Sequence, residues 1–249
     1  GVRGSLAMQA ERGSVESDAG GAAVMLVPEQ LPEQPMYLSD FEAMMLHGAP
    51  PVPPVFFCFR GRLDAPRVRE ALGRVVSKNP VVAGRLRSSA RRCRCLGGCQ
   101  RRSAPAGPGN AEIHFGSALG VPFHEKAMPP ALEAEVQRLS AEALAREPLR
   151  AEATFQRLGI EDVGDVRELL DSDRPLLSAT CVVGETASVL SLSASHLLFD
   201  GWTYFAFLRC WDEEFAVPGC SEPLSREARP ALSSAFGHLI ARRTSAPPP

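Results

Sequence analysis

The 249-residue chain has no apolar run long enough to cross a bilayer. The longest near its start, Ala22 to Val27 (AAVMLV), falls far short of the roughly 20 residues a span requires and is too short for a signal-peptide core. No excess charge of either sign is present, the formal net charge being −2, so no global field draws nucleic acid or an anionic membrane. Locally the balance differs, with nine basic residues from Arg74 to Arg102 and no acidic one before Glu112. That stretch contains no aromatic side chain for base stacking, which argues against nucleic acid as a partner. A disulfide framework is also missing: seven scattered cysteines, an odd number, suit a reducing, cytoplasmic setting. Cys93, Cys95 and Cys99 (CRCLGGC) do not have C-x2-C spacing and have no fourth ligand close by, so no metal is expected. No internal repeat is visible.

A real core is affordable at 45% hydrophobic residues. Residues 1–19, rich in Gly, Ser and charge, read as a disordered lead-in. Ala22–Val27 reads as an edge strand stopped by Pro28. Ser39 with Glu42 forms a capping box, placing a helix start there. Val55–Arg62 is β-rich, and Asp64 caps a helix in which Val68, Leu72, Val75 and Val76 recur at helical spacing until Pro80. Residues 88–110 have no period and read as a basic surface insertion. Short strands follow around Ile113 and Val121. Pro130–Glu147 reads as a helix with Leu132, Val136, Leu139 and Ala143 on one face.

Leu176–Val183 and Ala187–Ser195, joined by Gly184–Thr186, have the pattern of a β-hairpin. Tyr204, Leu208, Trp211 and Phe215 then repeat at helical spacing. A last amphipathic segment (Leu232, Phe236, Leu239, Ile240) precedes a loose tail. The strand and helix periods together give an α/β (α+β) class: a two-layer sandwich of a mostly antiparallel mixed sheet with helices on one side.

Between hairpin and helix lies SASHLLFDGWT, residues 193–203. His196 falls at the strand's end, where one ring nitrogen can face solvent. A histidine so placed can take a proton from an alcohol or amine. Asp200 has three readings: it orients the imidazole directly, it pins the loop through an arginine, or it caps the helix that follows. Gly201 is read as freeing the backbone to bend before the helix. His47, His114, His124 and His238 have no such setting and are read as structural.

SHLLFDGWT, with FLRCWDEE behind it, resembles the H-x-x-x-D-G segment of the BAHD acyltransferases. MLVPEQLPEQPMYLSDFE is similar to that family's opening strand and helix start, LDAPRVREALGRVVSKNPVVAGRL to its first long helix and Ala-Gly-Arg-Leu turn, and GVPFHE to the strand after it. The segments occur in the family's order. The resemblance implies the chloramphenicol acetyltransferase-like plan, with an N-terminal half over residues 20–225 and a C-terminal helix and tail over 226–249. It further implies an acyltransferase moving an acyl group from a CoA thioester to a hydroxyl or amine. The catalytic residues would be His196 as general base and Asp200, mainly structural, with Gly201 in the motif's loop. Acyl-CoA is a co-substrate, and no cofactor is bound permanently.

Two departures matter. The family's second motif, Asp-Phe-Gly-Trp-Gly, does not occur, so the resemblance implies a site completed by a second half-domain or a homo-oligomer. Ser195 stands where condensation domains of nonribosomal peptide synthetases usually have a first histidine, which places a condensation-type domain acting on carrier-protein thioesters second. A non-catalytic binding or scaffold domain is the further alternative.

Overall fold

The computed structural model describes residues 23–38, 46, 54–88, 111–116, 119–139, 148–160, 162–221 and 224. The lead-in at 1–19, the capping box at Ser39, the basic stretch from 89 to 110, residues 140–147, the segment from 225 onward, His47 and His238 lie outside them.

The expected mixed α/β architecture is present. In chain order the elements are β1 (Val24–Leu26), β2 (Met36–Tyr37), β3 (Val55–Arg60), α1 (Ala65–Lys78), a 3-10 turn (Pro80–Ala83), β4 (Arg85–Ser88), β5 (Ala111–His114), β6 (Val121–Ala127), α2 (Pro130–Arg138), α3 (Pro148–Arg157), α4 (Val166–Leu169), β7 (Leu177–Val183), β8 (Ala187–Ala194) and α5 (Gly201–Ala216). Five strands form the main sheet in the order β1-β6-β7-β8-β3. Its pairs are antiparallel except β6 with β7. A second, three-stranded antiparallel sheet, β2-β5-β4, was not anticipated. Its shortest strand has two residues, too few to show a period.

The hairpin falls where the alternation placed it. Gly184 N–H donates to Ala187 O at 2.9 Å, and a Cβ on Gly184 would sit 2.6 Å from that same oxygen, so the tight turn needs glycine there. Leu177, Ala179 and Cys181 on β7, with Leu192 and Ala194 on β8, belong to the main core under α1 and α5. Val182, Val189 and Ala187 instead join Leu132, Val136 and Phe155. By strand alternation this second cluster lies on the opposite face, under α2 and α3, so helices cover both faces of the main sheet rather than the one side expected.

Helix α1 follows its sequence signals closely. The Asp64 carboxylate accepts from Arg67 N–H at 3.2 Å, Val68, Leu72, Val75 and Val76 are all buried, and Pro80 ends the run. The single helix expected over 130–147 stops earlier. Leu139 is extended, with ψ of 101°, and closes the turn onto Val136 O, so Leu139 packs beside the second cluster from outside the helix. His124 lies on β6, beside the edge strand β1. Ser88, assigned to the basic insertion, is instead the last residue of β4, its N–H and hydroxyl both donating to Asp171 at 2.7 Å.

The Ala-Gly-Arg-Leu turn is held by a buried cation. Arg85 is 3% exposed and donates to the carbonyls of Asp173 (2.8 Å), Ala83 (3.1 Å), Gly84 (2.9 Å) and Gly120 (3.0 Å). Each buried polar contact is thereby satisfied. Burial pushes its pKa down, while the nearby Asp173 charge works the other way. Gly84 lets this turn close on β5, since a Cβ there would meet Ile113 Cγ2 at 2.2 Å. Gly84→Ala is therefore expected to destabilise by about 1–3 kcal/mol through overpacking, read as a lower denaturant midpoint.

Glu214 fastens α5 to α1. It is fully buried, and accepts from Arg74 Nε at 2.9 Å, Lys78 Nζ at 2.5 Å, Ser221 Oγ at 2.8 Å and Gly219 N–H at 2.8 Å. Burial alone would raise its pKa. The hydrogen bonds from Lys78, Gly219, Ser221 and Arg74 outweigh burial and hold the carboxyl far below the ordinary 4.5. A depressed carboxyl contributes stability in full above its unfolded value and loses it as pH falls through the folded one. Glu214→Gln is expected to cost about 2 kcal/mol at neutral pH. The variant should also lose less further stability than the parent on acidification below pH 4.5, as followed by denaturant titration across pH.

Candidate functional site

The site residues lie in the six-residue passage from β8 to α5. Ser195 closes the strand: its N–H donates to Leu176 O at 2.9 Å. Its carbonyl then accepts from Leu198 N–H (3.1 Å) and Phe199 N–H (3.2 Å), and its hydroxyl from Leu197 N–H (3.3 Å). Ser195 is thus the residue around which the turn is tied.

Leu197, Leu198 and Phe199 are all buried. Phe199 meets Tyr204 and Phe207 edge-on, with centroids 5.9 and 5.4 Å apart. The Tyr204 hydroxyl donates to Leu192 O at 2.5 Å, and burial pushes its pKa well above the usual phenol range. The turn is therefore clamped by three apolar side chains and by the first turns of the helix after it.

His196 is the one residue of that turn between Ser195 and Asp200 that stays partly exposed. Its Nδ1 is enclosed and has no hydrogen-bond partner among the described residues. Asp200 therefore does not hold the imidazole through Nδ1. Its carboxylate caps α5 instead, accepting from Thr203 N–H at 2.7 Å. Of the three sequence readings of Asp200, the cap is the one formed by this bond.

Gly201 needs correction. It opens α5 without a positive φ, and a Cβ there would meet nothing within 4 Å. The bend is made by Ser195 and the buried Leu-Leu-Phe run, so glycine is not required for conformation.

Three of the described thiols are held back from attack. Cys181 is buried, and that burial, reinforced by the Glu125 charge, pushes its thiol up to about 12. Burial likewise raises Cys210 and Cys58. His114 faces Glu112, with Nε2 and Oε1 2.6 Å apart, as its structural reading implies. Among the described residues no cluster of His, Cys, Asp and Glu is arranged for a metal, and no helix is long and apolar enough to cross a membrane.

A cavity of about 420 Å³ lies between the β3 edge and α5, lined by Phe57, Phe59, Leu190, Phe205, Phe215 and neighbours. His196 does not line it. This cavity is not legible from residue types, because its walls read simply as apolar positions of a strand and a helix.

No family model matches the chain, and no curated protein matches it. Among solved structures it is similar to vinorine synthase, at 15% identity and a TM-score of 0.48, over 84% of this chain and 46% of that one. It is also similar to F. graminearum TRI101 complexed with ethyl coenzyme A (11%, TM-score 0.45, 78% and 41%). A third similar structure is that of condensation domain-mediated chain release from the enacyloxin polyketide synthase (18%, TM-score 0.44, 87% and 40%). The chain spans less than half the length of each. The architecture described above rests on this chain's own strand order and pairing.

Asp200→Ala is expected to lower stability by about 1 kcal/mol through loss of the cap, and Asp200→Asn to restore most of it. Gly201→Ala should be neutral or slightly stabilising, since the site is open and alanine is the better helix former. Thermal melting of the three variants reads all of these.

Proposed function

We propose that this chain is one half of an acyltransferase in which His196 accepts the proton of a hydroxyl or amine as that group attacks an acyl-CoA thioester. The observation that supports it best is the placement of His196: a partly exposed histidine at a strand end, in a turn where Ser195, Leu197, Leu198 and Phe199 are buried and backbone hydrogen bonds close the loop. A general base needs that combination of a fixed ring and an open side.

In this reading attack is direct, so no acyl-enzyme forms. The raised thiols of Cys181, Cys210 and Cys58 fit a mechanism without a cysteine nucleophile. Asp200 acts through the helix cap, fixing where α5 begins and hence where the turn ends. The second half, or another copy of the chain, would supply the remaining walls of the channel. A condensation-type domain, with a carrier-protein thioester as donor, would use the same histidine in the same way.

A binding or scaffold role is favoured by a different observation. The apolar cavity beside β3 lies away from His196, and Phe205 and Trp202 on α5 are 66% and 52% exposed, which marks a contact surface rather than chemistry.

Thioester turnover with a panel of alcohols and amines separates the two. The enzyme reading expects His196→Gln to lower turnover by about 10²- to 10⁴-fold, the usual contribution of a general base, while Asp200→Asn keeps most of it. Equal turnover in parent and His196→Gln protein removes the base from the proposal.

A further inference from the structure

The two nitrogens of His196 have different surroundings. Nδ1 is enclosed without a hydrogen-bond partner among the described residues, while the residue as a whole is partly exposed and Nε2 is not among the enclosed, partnerless atoms. A neutral imidazole carries one proton, on one nitrogen or the other. A proton on Nδ1 makes an enclosed donor with no acceptor; a bare Nδ1 is an under-used acceptor. Buried orphan N–H groups are the rarer of the two, and stranding one forfeits the desolvation cost of a polar group.

Three acceptors flanking the ring in the chain are already engaged. The Ser195 carbonyl takes two N–H groups, from Leu198 and Phe199. The Ser195 hydroxyl oxygen takes Leu197 N–H, and the Asp200 carboxylate takes Thr203 N–H. The turn that fixes the ring uses these acceptors for its own closure.

We infer that His196 is held in this chain as the Nε2–H tautomer, and that its proton-accepting form at Nε2 arises only when a carbonyl or carboxylate from outside the described residues is set against Nδ1. The tautomer follows from the ring's surroundings alone; its consequence for catalysis rests on the general-base reading above. A base acting through the reachable nitrogen needs a lone pair at Nε2, hence the proton on Nδ1, hence an acceptor there. The described residues by themselves thus hold a latent base. The acceptor is a neutral or anionic oxygen delivered with the rest of the site, and its arrival moves the proton from Nε2 to Nδ1 with no net change in protonation.

The test is nuclear magnetic resonance of the protein carrying isotope-labelled histidine nitrogens, at a pH above the imidazole titration, with N-acetylhistidine amide as reference in the same buffer. The expected result is a His196 Nε2–H to Nδ1–H ratio about tenfold or more above that of the reference, the size set by one stranded donor. A ratio equal to the reference, or a majority of Nδ1–H, overturns the inference. Loss of the signal in His196→Gln identifies the resonance. If that variant does not fold, through-bond correlation from the ring to its own Cβ in the unchanged protein identifies it instead. The measurement involves no turnover, so absence of His196-dependent turnover would sink the proposed reaction and leave the tautomer result standing.

Discussion

A single buried carboxylate fixes the geometry on which the rest depends. Glu214 is fully enclosed yet ionised, because Arg74 and Lys78 from α1 and the Gly219–Ser221 backbone converge on it. Lys78 also donates to Ser221 O at 2.6 Å, so the same ammonium ties the segment after α5 back to α1. An enclosed charge tolerates few alternative arrangements, since any shift that loses a partner leaves it uncompensated. The apolar contacts between α1 and α5 would permit some sliding; the carboxylate does not. Trp211 Nε1–H donating to Val68 O at 3.0 Å, and the Arg67 guanidinium 4.4 Å from the Phe215 ring centre, reinforce the same register.

From that fixed helix the geometry passes backward to the histidine. Tyr204 and Phe207, on the first turns of α5, grip Phe199, and Tyr204 reaches the backbone of β8 at Leu192. The sheet, the turn and the helix therefore meet within a few residues of His196. Among the described residues the ring's Nδ1 has no hydrogen bond to position it; the turn around it is what is fixed. Orientation is supplied by this chain, and the polar partner that would select the ring's protonation site is not found among its described residues.

Legibility in the sequence followed the strength of local signals. Asp64, the apolar stripe of α1 and Pro80 all point the same way, and that helix was readable to within a residue or two. The β7–β8 hairpin was readable because its alternation is long and its turn is only Gly184–Thr186. The end of α2 was missed because Ala-Glu-Val-Gln-Arg-Leu continues a good helical pattern; local backbone geometry at Leu139 overrides it. The strand order was out of reach, since the parallel placement of β6 beside β7 joins segments more than fifty residues apart and leaves no local trace. At the site, His196 and the helix start were visible from residue types. The role of Ser195 as the knot of the turn and the dispensability of glycine at Gly201 were not, because both depend on which backbone groups close the loop. Glu214 was not legible, because it follows Asp212 and Glu213 and nothing local marks which of the three carboxylates is enclosed.

The pairing of β3 with β8 sets the order in which the molecule can be assembled. Ser188 Oγ reaches Gly61 O across 127 residues of chain, and among the described residues the whole length of β3 is matched only to β8. During synthesis the Val-Phe-Phe-Cys-Phe strand emerges long before β8, and it must wait for that partner while more than a hundred further residues are made. Such distant strand pairing is slow and leaves a sticky segment open to other chains in the interval. The burden falls on the nascent polypeptide rather than on the finished fold, and it makes prompt shielding of the first aromatic strand a condition for reaching the native sheet.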